Sequence, residues 1–75
     1  MSTFALKLGA VIRKKRLSLS LSQEALAALA DLNRTYLGEV ERGVVEVSVV
    51  NLQRIAGGLG IKLSELIRLC EEADD

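Results

Sequence analysis

The stretch of residues 22–43 constrains this chain more than any other part of it, because it has the pattern of two short helices joined by a tight turn. Ser22 can cap the first helix and Asn33 the second, since their side-chain oxygens accept hydrogen bonds from the free N–H groups that open a helix. Gly43 is a residue type at which helices commonly end. Apolar residues recur at helical spacing in both segments: Leu26, Leu29 and Ala30 with Ala27 beside them, and then Leu37 and Val40.

The second of these helices keeps a polar outer face, which is formed by Arg34, Thr35, Gly38 and Glu39. Two short helices with a tight turn and a polar second helix are typical of the helix-turn-helix, whose second helix enters the major groove of DNA. Residues 22–43 therefore predict a DNA-binding element.

The rest of the chain predicts three further helices, so the expected fold class is all-α with five helices. Helix one covers residues 3–16, helix four covers residues 49–59 after a Ser48 cap, and helix five covers roughly residues 63–72. Residues 17–21 alternate leucine and serine, but a lone strand would have no partner, so we expect a helix end and a loop. The side chains expected to face the core are Phe4, Leu8, Val11 and Ile12 in helix one and Val49, Leu52, Ile55, Ala56 and Leu59 in helix four.

The chain carries more apolar side chains than one small domain easily hides. Its 75 residues suit a single domain, yet 49% of them are hydrophobic. Helix five is apolar on more than one side, so one side can pack on helix one while the other needs a partner. We expect a homodimer with its dimerisation region at about residues 61–72 and contacts from Leu63, Leu66, Ile67, Leu69 and Cys70.

The formal net charge is zero, but the charges are unevenly distributed along the chain. Five basic and no acidic residues lie in the first sixteen positions, whereas four acidic residues lie in the last five. A basic body with an acidic tail is compatible with binding to phosphate.

The residue inventory excludes several classes of site. The chain has no histidine and a single cysteine, Cys70, so it lacks the ligands of a zinc site and the histidine of a catalytic triad. We therefore expect no enzyme activity, no metal and no cofactor. No apolar run reaches the length of a signal peptide or the ~20 residues of a membrane span, which predicts a cytoplasmic protein without membrane contact.

Several segments resemble the Cro/lambda-repressor-like helix-turn-helix regulators, over residues 8 to about 68. They are Ser22-Gln23-Glu24 with Leu26-Ala27, Leu32-Asn33-Arg34-Thr35-Tyr36-Leu37, Glu41-Arg42-Gly43, Ser48-Val49-Val50-Asn51-Leu52 with Ile55-Ala56 and Leu59-Gly60, and Leu63-Ser64-Glu65-Leu66. Within that family, Arg34-Thr35-Tyr36 and Asn51-Leu52 are most similar to the controller proteins of restriction–modification systems. The resemblance implies a five-helix lambda-repressor-like DNA-binding domain. It also implies a transcriptional regulator that binds double-stranded DNA as a homodimer, at a palindromic operator.

Three residues of the second helix of the helix-turn-helix are expected to read bases. Arg34 can donate two hydrogen bonds to guanine, and Thr35 offers a hydroxyl and a methyl group to thymine. The resemblance adds Glu39, because family members often place a base-reading residue there. Its carboxylate could accept a hydrogen bond from cytosine.

A second group is expected to hold the phosphate backbone. The resemblance gives this role to Gln23, which opens the first helix of the helix-turn-helix, and to Arg42, which ends the second helix of that motif. Tyr36 can lean its ring on helix four while its hydroxyl reaches a phosphate, and a purely structural role is its alternative. Asn33 and Asn51 are the remaining candidates for contact with the backbone.

The resemblance also implies an internal ion pair. In relatives, the residues that match Arg16 and Glu41 tie helix one to the second helix of the motif. The alternative for these two residues is a pair of exposed charges, which would contribute only ~0–1 kcal/mol.

The chain departs from the family pattern at two places. Val44, Val45, Glu46 and Val47 replace the basic residues and the asparagine that usually follow the glycine and hold the DNA backbone. Asp31 replaces the usual turn glycine, so a left-handed backbone there would carry some strain. The valine loop and the zero net charge also support an alternative function, a protein-interaction module on the same fold, such as an antitoxin or a phage-type partner protein.

Overall fold

The computed structural model describes residues 2–73 and shows five α-helices in them. They are α1 (Thr3–Ser18), α2 (Gln23–Ala30), α3 (Arg34–Arg42), α4 (Val49–Gly58) and α5 (Leu63–Glu72). The predicted all-α class with five helices is confirmed, and α1 extends two residues further than expected. Asp74 and Asp75, the end of the acidic tail, lie outside the described residues.

The helix starts follow from short-range hydrogen bonds. Ser22, Asn33 and Ser48 each accept a hydrogen bond from a backbone N–H in the first turn of α2, α3 and α4, as predicted, and Ser2 does the same for α1. Satisfying these otherwise unpaired donors contributes about 1 kcal/mol per cap. The sequence therefore fixes where these four helices begin.

The turn between α2 and α3 passes through a left-handed residue. Asp31 has φ 56° and ψ 45°, and the N–H of Leu32 donates to the carbonyl of Ala27 at 2.8 Å, which closes α2. Aspartate is one of the few non-glycine residues that adopts this conformation without a large penalty. The left-handed backbone expected at Asp31 is present, and it sets the angle at which α3 leaves α2.

The core forms where two helix pairs meet. α2 packs most extensively against α4 and α1 against α3, while α5 contacts both α1 and α4. The largest fully buried side chains come from every helix: Ile12, Leu26, Leu37, Val40, Ile55, Leu66 and Cys70. Leu37 and Val40 pack one side of α3 against the core, and the opposite side of the helix faces solvent.

A glycine allows α1 to approach α3 closely. A Cβ atom on Gly9 would lie 2.5 Å from the carbonyl oxygen of Glu41 and closer still to that of Val40. Such an approach to backbone atoms is possible only without a side chain. Gly9 was not singled out from the sequence, because its significance depends on a helix about 30 residues away in the chain.

Two side chains that were expected in the core, Phe4 and Val49, are instead exposed, and so is Leu29, which shares the apolar spacing of α2. Phe4 is 42% exposed, Leu29 62% and Val49 64%. The inward sides of α1 and α2 are formed by Ala5, Leu8, Gly9, Ile12 and Arg16 and by Leu26, Ala27 and Ala30. A short helix has more apolar residues at helical spacing than its neighbours can cover, so some of them remain exposed.

The side chains expected at the dimer contact divide into two groups. Leu66 and Cys70 are buried inside the protomer, so the expectation that they offer surface to a partner was wrong. They fill the space between α5 and the rest of the core. Leu63, Ile67 and Leu69 are half-buried and keep part of their apolar surface in solvent. Within the described residues, no helix is long and apolar enough to cross a membrane.

Candidate nucleic-acid interface

The outer side of α3 presents polar side chains to solvent. Arg34 and Thr35, in the first turn, are exposed, and Glu39 one turn later is half-buried. Residues four apart on a helix lie above one another, so Thr35 and Glu39 share one line along this side. The three side chains expected to read bases therefore lie on one accessible edge of the molecule.

Gly38 lies beneath two longer side chains on the same edge. A Cβ atom on Gly38 would lie 3.4 Å from Nη1 of Arg42 and 3.9 Å from Oε1 of Gln23. The start of α2 and the end of α3 thus bring a guanidinium and a carboxamide to one place. Both residues were expected to hold phosphate, and both are good partners for an anion.

Arg16 and Glu41 form a buried ion pair, as the resemblance implied. Arg16 Nε lies 2.7 Å from Oε2 of Glu41 and Nη2 lies 3.0 Å from Oε1, with side chains only 8% and 2% exposed. The hydrogen bond to Glu41 raises the pKa of Arg16 above its ordinary value. Nη1 of Arg16 also donates to the carbonyl of Leu21 at 2.9 Å, so the pair fixes the loop before α2.

Gln23 has a partner that the sequence did not reveal. Its Nε2 donates to Oε1 of Glu41 at 3.0 Å, across eighteen residues of chain. An amide nitrogen carries two hydrogens, so one remains for another acceptor. Gln23 therefore connects the exposed edge of the interface to the buried Arg16–Glu41 pair.

Three of the expected phosphate ligands lie near the start of α3. Asn33 Oδ1 accepts from the backbone N–H groups of Thr35 (2.7 Å) and Tyr36 (3.2 Å), which leaves its amide hydrogens available. The Tyr36 hydroxyl accepts from Nδ2 of Asn51 at 3.2 Å, so α3 and α4 share a polar contact. The contact between Tyr36 and Asn51 was also not apparent from the sequence.

This surface carries less positive charge than its arginines suggest, because an acidic side chain lies near Arg34 and the loop after α3 has no basic residue. Arg34 Nε lies 3.9 Å from Oε1 of Glu24, but both side chains are more than half exposed, so the pair contributes little. In the loop after α3, Val44 and Glu46 are exposed, while Val45 and Val47 are half-buried against the core. The loop thus offers no cation to a phosphate beside α3.

Together α2, the turn at Asp31 and α3 define a helix-turn-helix protein. Residues 12–66 match the family described as helix-turn-helix. The control protein C.MunI of Mycoplasma sp is 46% identical over 67 residues, which are 88% of this chain and 90% of that protein. The chain therefore belongs to the helix-turn-helix family of restriction–modification controller proteins.

Two solved structures share the fold. The crystal structure of the restriction-modification controller protein C.AhdI from Aeromonas hydrophila has 45% identity and a TM-score of 0.80, and the match covers 83% of this chain and 94% of that one. The structure of C.Esp1396I bound to a 19-base-pair DNA duplex has 30% identity and a TM-score of 0.87, with 95% of each chain covered. C.Esp1396I, which shares this fold, is thus bound to DNA in its structure.

Proposed function

We propose that this protein is a sequence-specific transcriptional regulator that binds a palindromic operator as a homodimer and controls the genes of a restriction–modification system. The observation that carries the proposal is the accessible polar edge of α3, which Leu37 and Val40 hold rigidly from behind. The controller-protein relatives and the DNA-bound C.Esp1396I support DNA binding by a chain of this fold.

The roles of individual residues follow from their chemistry and position. Arg34, Thr35 and Glu39 would contact bases in the major groove, because they occupy the edge that a recognition helix presents. The side chains that would hold phosphates are Gln23, Asn33, Tyr36 and Arg42, and Asn51, the remaining candidate from the sequence, is hydrogen-bonded to Tyr36. In a homodimer the two recognition helices would lie about 34 Å apart, one turn of DNA.

The domain organisation is part of this proposal. Residues 1–75 would form one domain with the helix-turn-helix at residues 22–43. Dimerisation would use residues 61–72, where Leu63, Ile67 and Leu69 expose apolar surface. Burying this surface in a second protomer is favourable at about 25 cal/mol per Å² of apolar area.

The proposed activity is binding rather than catalysis. The relatives are helix-turn-helix proteins, and the side chains gathered on the edge of α3 are hydrogen-bond donors, acceptors and cations rather than a nucleophile with a base. Because its proposed partner is DNA, the protein would act in the cytoplasm. The alternative of a protein-interaction module would require a stable heteropartner and no affinity for DNA.

The proposal can be tested by selecting duplexes from a randomised pool with the purified protein. We expect the selected sites to be palindromic and to bind about a thousandfold more tightly than random duplex in gel shifts at physiological salt. Sedimentation should show two protomers on each site. Equal affinity for selected and random duplexes at every salt concentration would reject sequence-specific regulation.

A further inference from the structure

The hydrogen bond between Asn51 and Tyr36 has a defined direction. Nδ2 of Asn51 is a donor only, and it lies 3.2 Å from the Tyr36 hydroxyl oxygen. The phenol oxygen is therefore the acceptor in this contact, and its own proton has to point to another group. That group must be an acceptor, such as water in the free protein or a phosphate oxygen in a complex.

The surroundings hold both side chains in place. The Tyr36 ring is half-buried and packs against the hydrophobic core, so its hydroxyl has little freedom to move sideways. Asn51 is also half-buried, and its backbone N–H donates to Oγ of Ser48 at 3.1 Å in the cap of α4. Asn51 therefore presents its amide to Tyr36 from a fixed helix start.

We propose that Asn51 is a positioning residue that acts on DNA through Tyr36 and does not itself hold a phosphate. This inference rests on the proposed function, since it assigns a task within the DNA-binding surface. Asn51 orients the Tyr36 hydroxyl as a donor toward the sugar-phosphate backbone next to the first turn of α3. Because the donor is oriented before DNA arrives, less side-chain freedom is lost on binding.

The test is a double-mutant cycle with Asn51→Ala, Tyr36→Phe and the double variant. Affinity is measured on a duplex of about 20 base pairs, long enough for two half-sites one turn apart, that the wild-type protein has selected from a random pool. Tyr36→Phe keeps the ring in the core and removes only the hydroxyl. Gln53→Ala, an exposed amide on the same helix, is the matched control.

If the proposal holds, Asn51→Ala weakens binding roughly fivefold per half-site in the wild-type background, as expected for the loss of one hydrogen bond. The same change has no effect on affinity in the Tyr36→Phe background, and Gln53→Ala is neutral. Melting temperatures of all four variants, measured without DNA, show whether the tie between α3 and α4 also stabilises the fold.

Two results would overturn the proposal. A similar loss in both backgrounds would mean that Asn51 acts on DNA without the Tyr36 hydroxyl, by contacting the duplex itself. A lower melting temperature with unchanged affinity would mean a structural role alone. Failure of the proposed function is distinguishable from both, because the wild-type protein would then select no duplex at all.

Discussion

The guanidinium of Arg16 and the carboxylate of Glu41 meet through two hydrogen bonds of 2.7 and 3.0 Å, and so join α1 to the end of α3. Both side chains are shielded from water, so neither charge can be left alone without a large penalty. Arg16→Met should lower the free energy of unfolding by roughly 3–5 kcal/mol, measured by urea denaturation. The exposed Arg68–Glu72 pair is the control, and Arg68→Ala should change stability by less than about 0.5 kcal/mol. Equal changes in the free energy of unfolding for Arg16→Met and Arg68→Ala would contradict the burial of the Arg16–Glu41 pair.

The close approach of α1 to α3 makes a second prediction. Gly9→Ala should destabilise the protein by about 1–3 kcal/mol, because the new methyl group meets backbone oxygens that cannot move aside. Gly57→Ala is the matched control, since its Cβ would meet nothing within 4 Å and its helix would gain about 0.5–1 kcal/mol. Thermal melts should thus shift in opposite directions, and a stabilised Gly9→Ala variant would refute the contact.

Arg34 is predicted to read sequence and not merely to add positive charge. Arg34→Ala should reduce discrimination between the selected site and a site with one changed base pair by about 1–3 kcal/mol. Arg13→Ala, on α1, removes the same charge at an exposed position outside the helix-turn-helix and should leave discrimination intact. Gel shifts on the matched and changed duplexes measure both, and unaltered discrimination in Arg34→Ala would exclude a base contact.

The valine loop after α3 predicts an unusual response to an added cation. Val44 is half exposed, so Val44→Lys can reach solvent without disturbing the core. Each protomer would gain about one phosphate contact, which should tighten binding and steepen the dependence of log affinity on log salt by about 1 per protomer. Ala10→Lys on α1 adds the same charge at another exposed position. If the dependence of log affinity on log salt were identical in both variants, the loop after α3 would not lie beside the DNA backbone.

Cys70 is predicted to be unreactive in the folded protein. Burial raises the pKa of its thiol, and the charge of Glu71 raises it further, so the neutral thiol is favoured in the fold. Because the folded pKa lies above the unfolded one, this contribution to stability is present at neutral pH and is lost as the pH rises through the folded pKa. Iodoacetamide at mildly alkaline pH should modify the protein rapidly only after denaturant is added. Rapid labelling of the native state, or a disulfide-linked dimer on oxidation, would place Cys70 at the surface.

The order of the five helices and the starts of α2, α3 and α4 could be predicted from neighbouring residues in the chain. Ser22, Asn33 and Ser48 cap helices by hydrogen bonds to backbone groups two or three residues away, so the information is local. The turn at Asp31 and the polar edge of α3 are local as well. Family resemblance added the Arg16–Glu41 pair, which residue spacing alone does not indicate.

Which apolar residues are covered and which polar groups meet depends on the packing of the helices and could not be predicted from the sequence. Leu29 is exposed and Ala30 buried, although both fit the same helical pattern. Gln23 with Glu41 and Tyr36 with Asn51 are joined across eighteen and fifteen residues of chain. Such contacts depend on how helices pack, and helix packing is set by the whole core rather than by the few residues around each position.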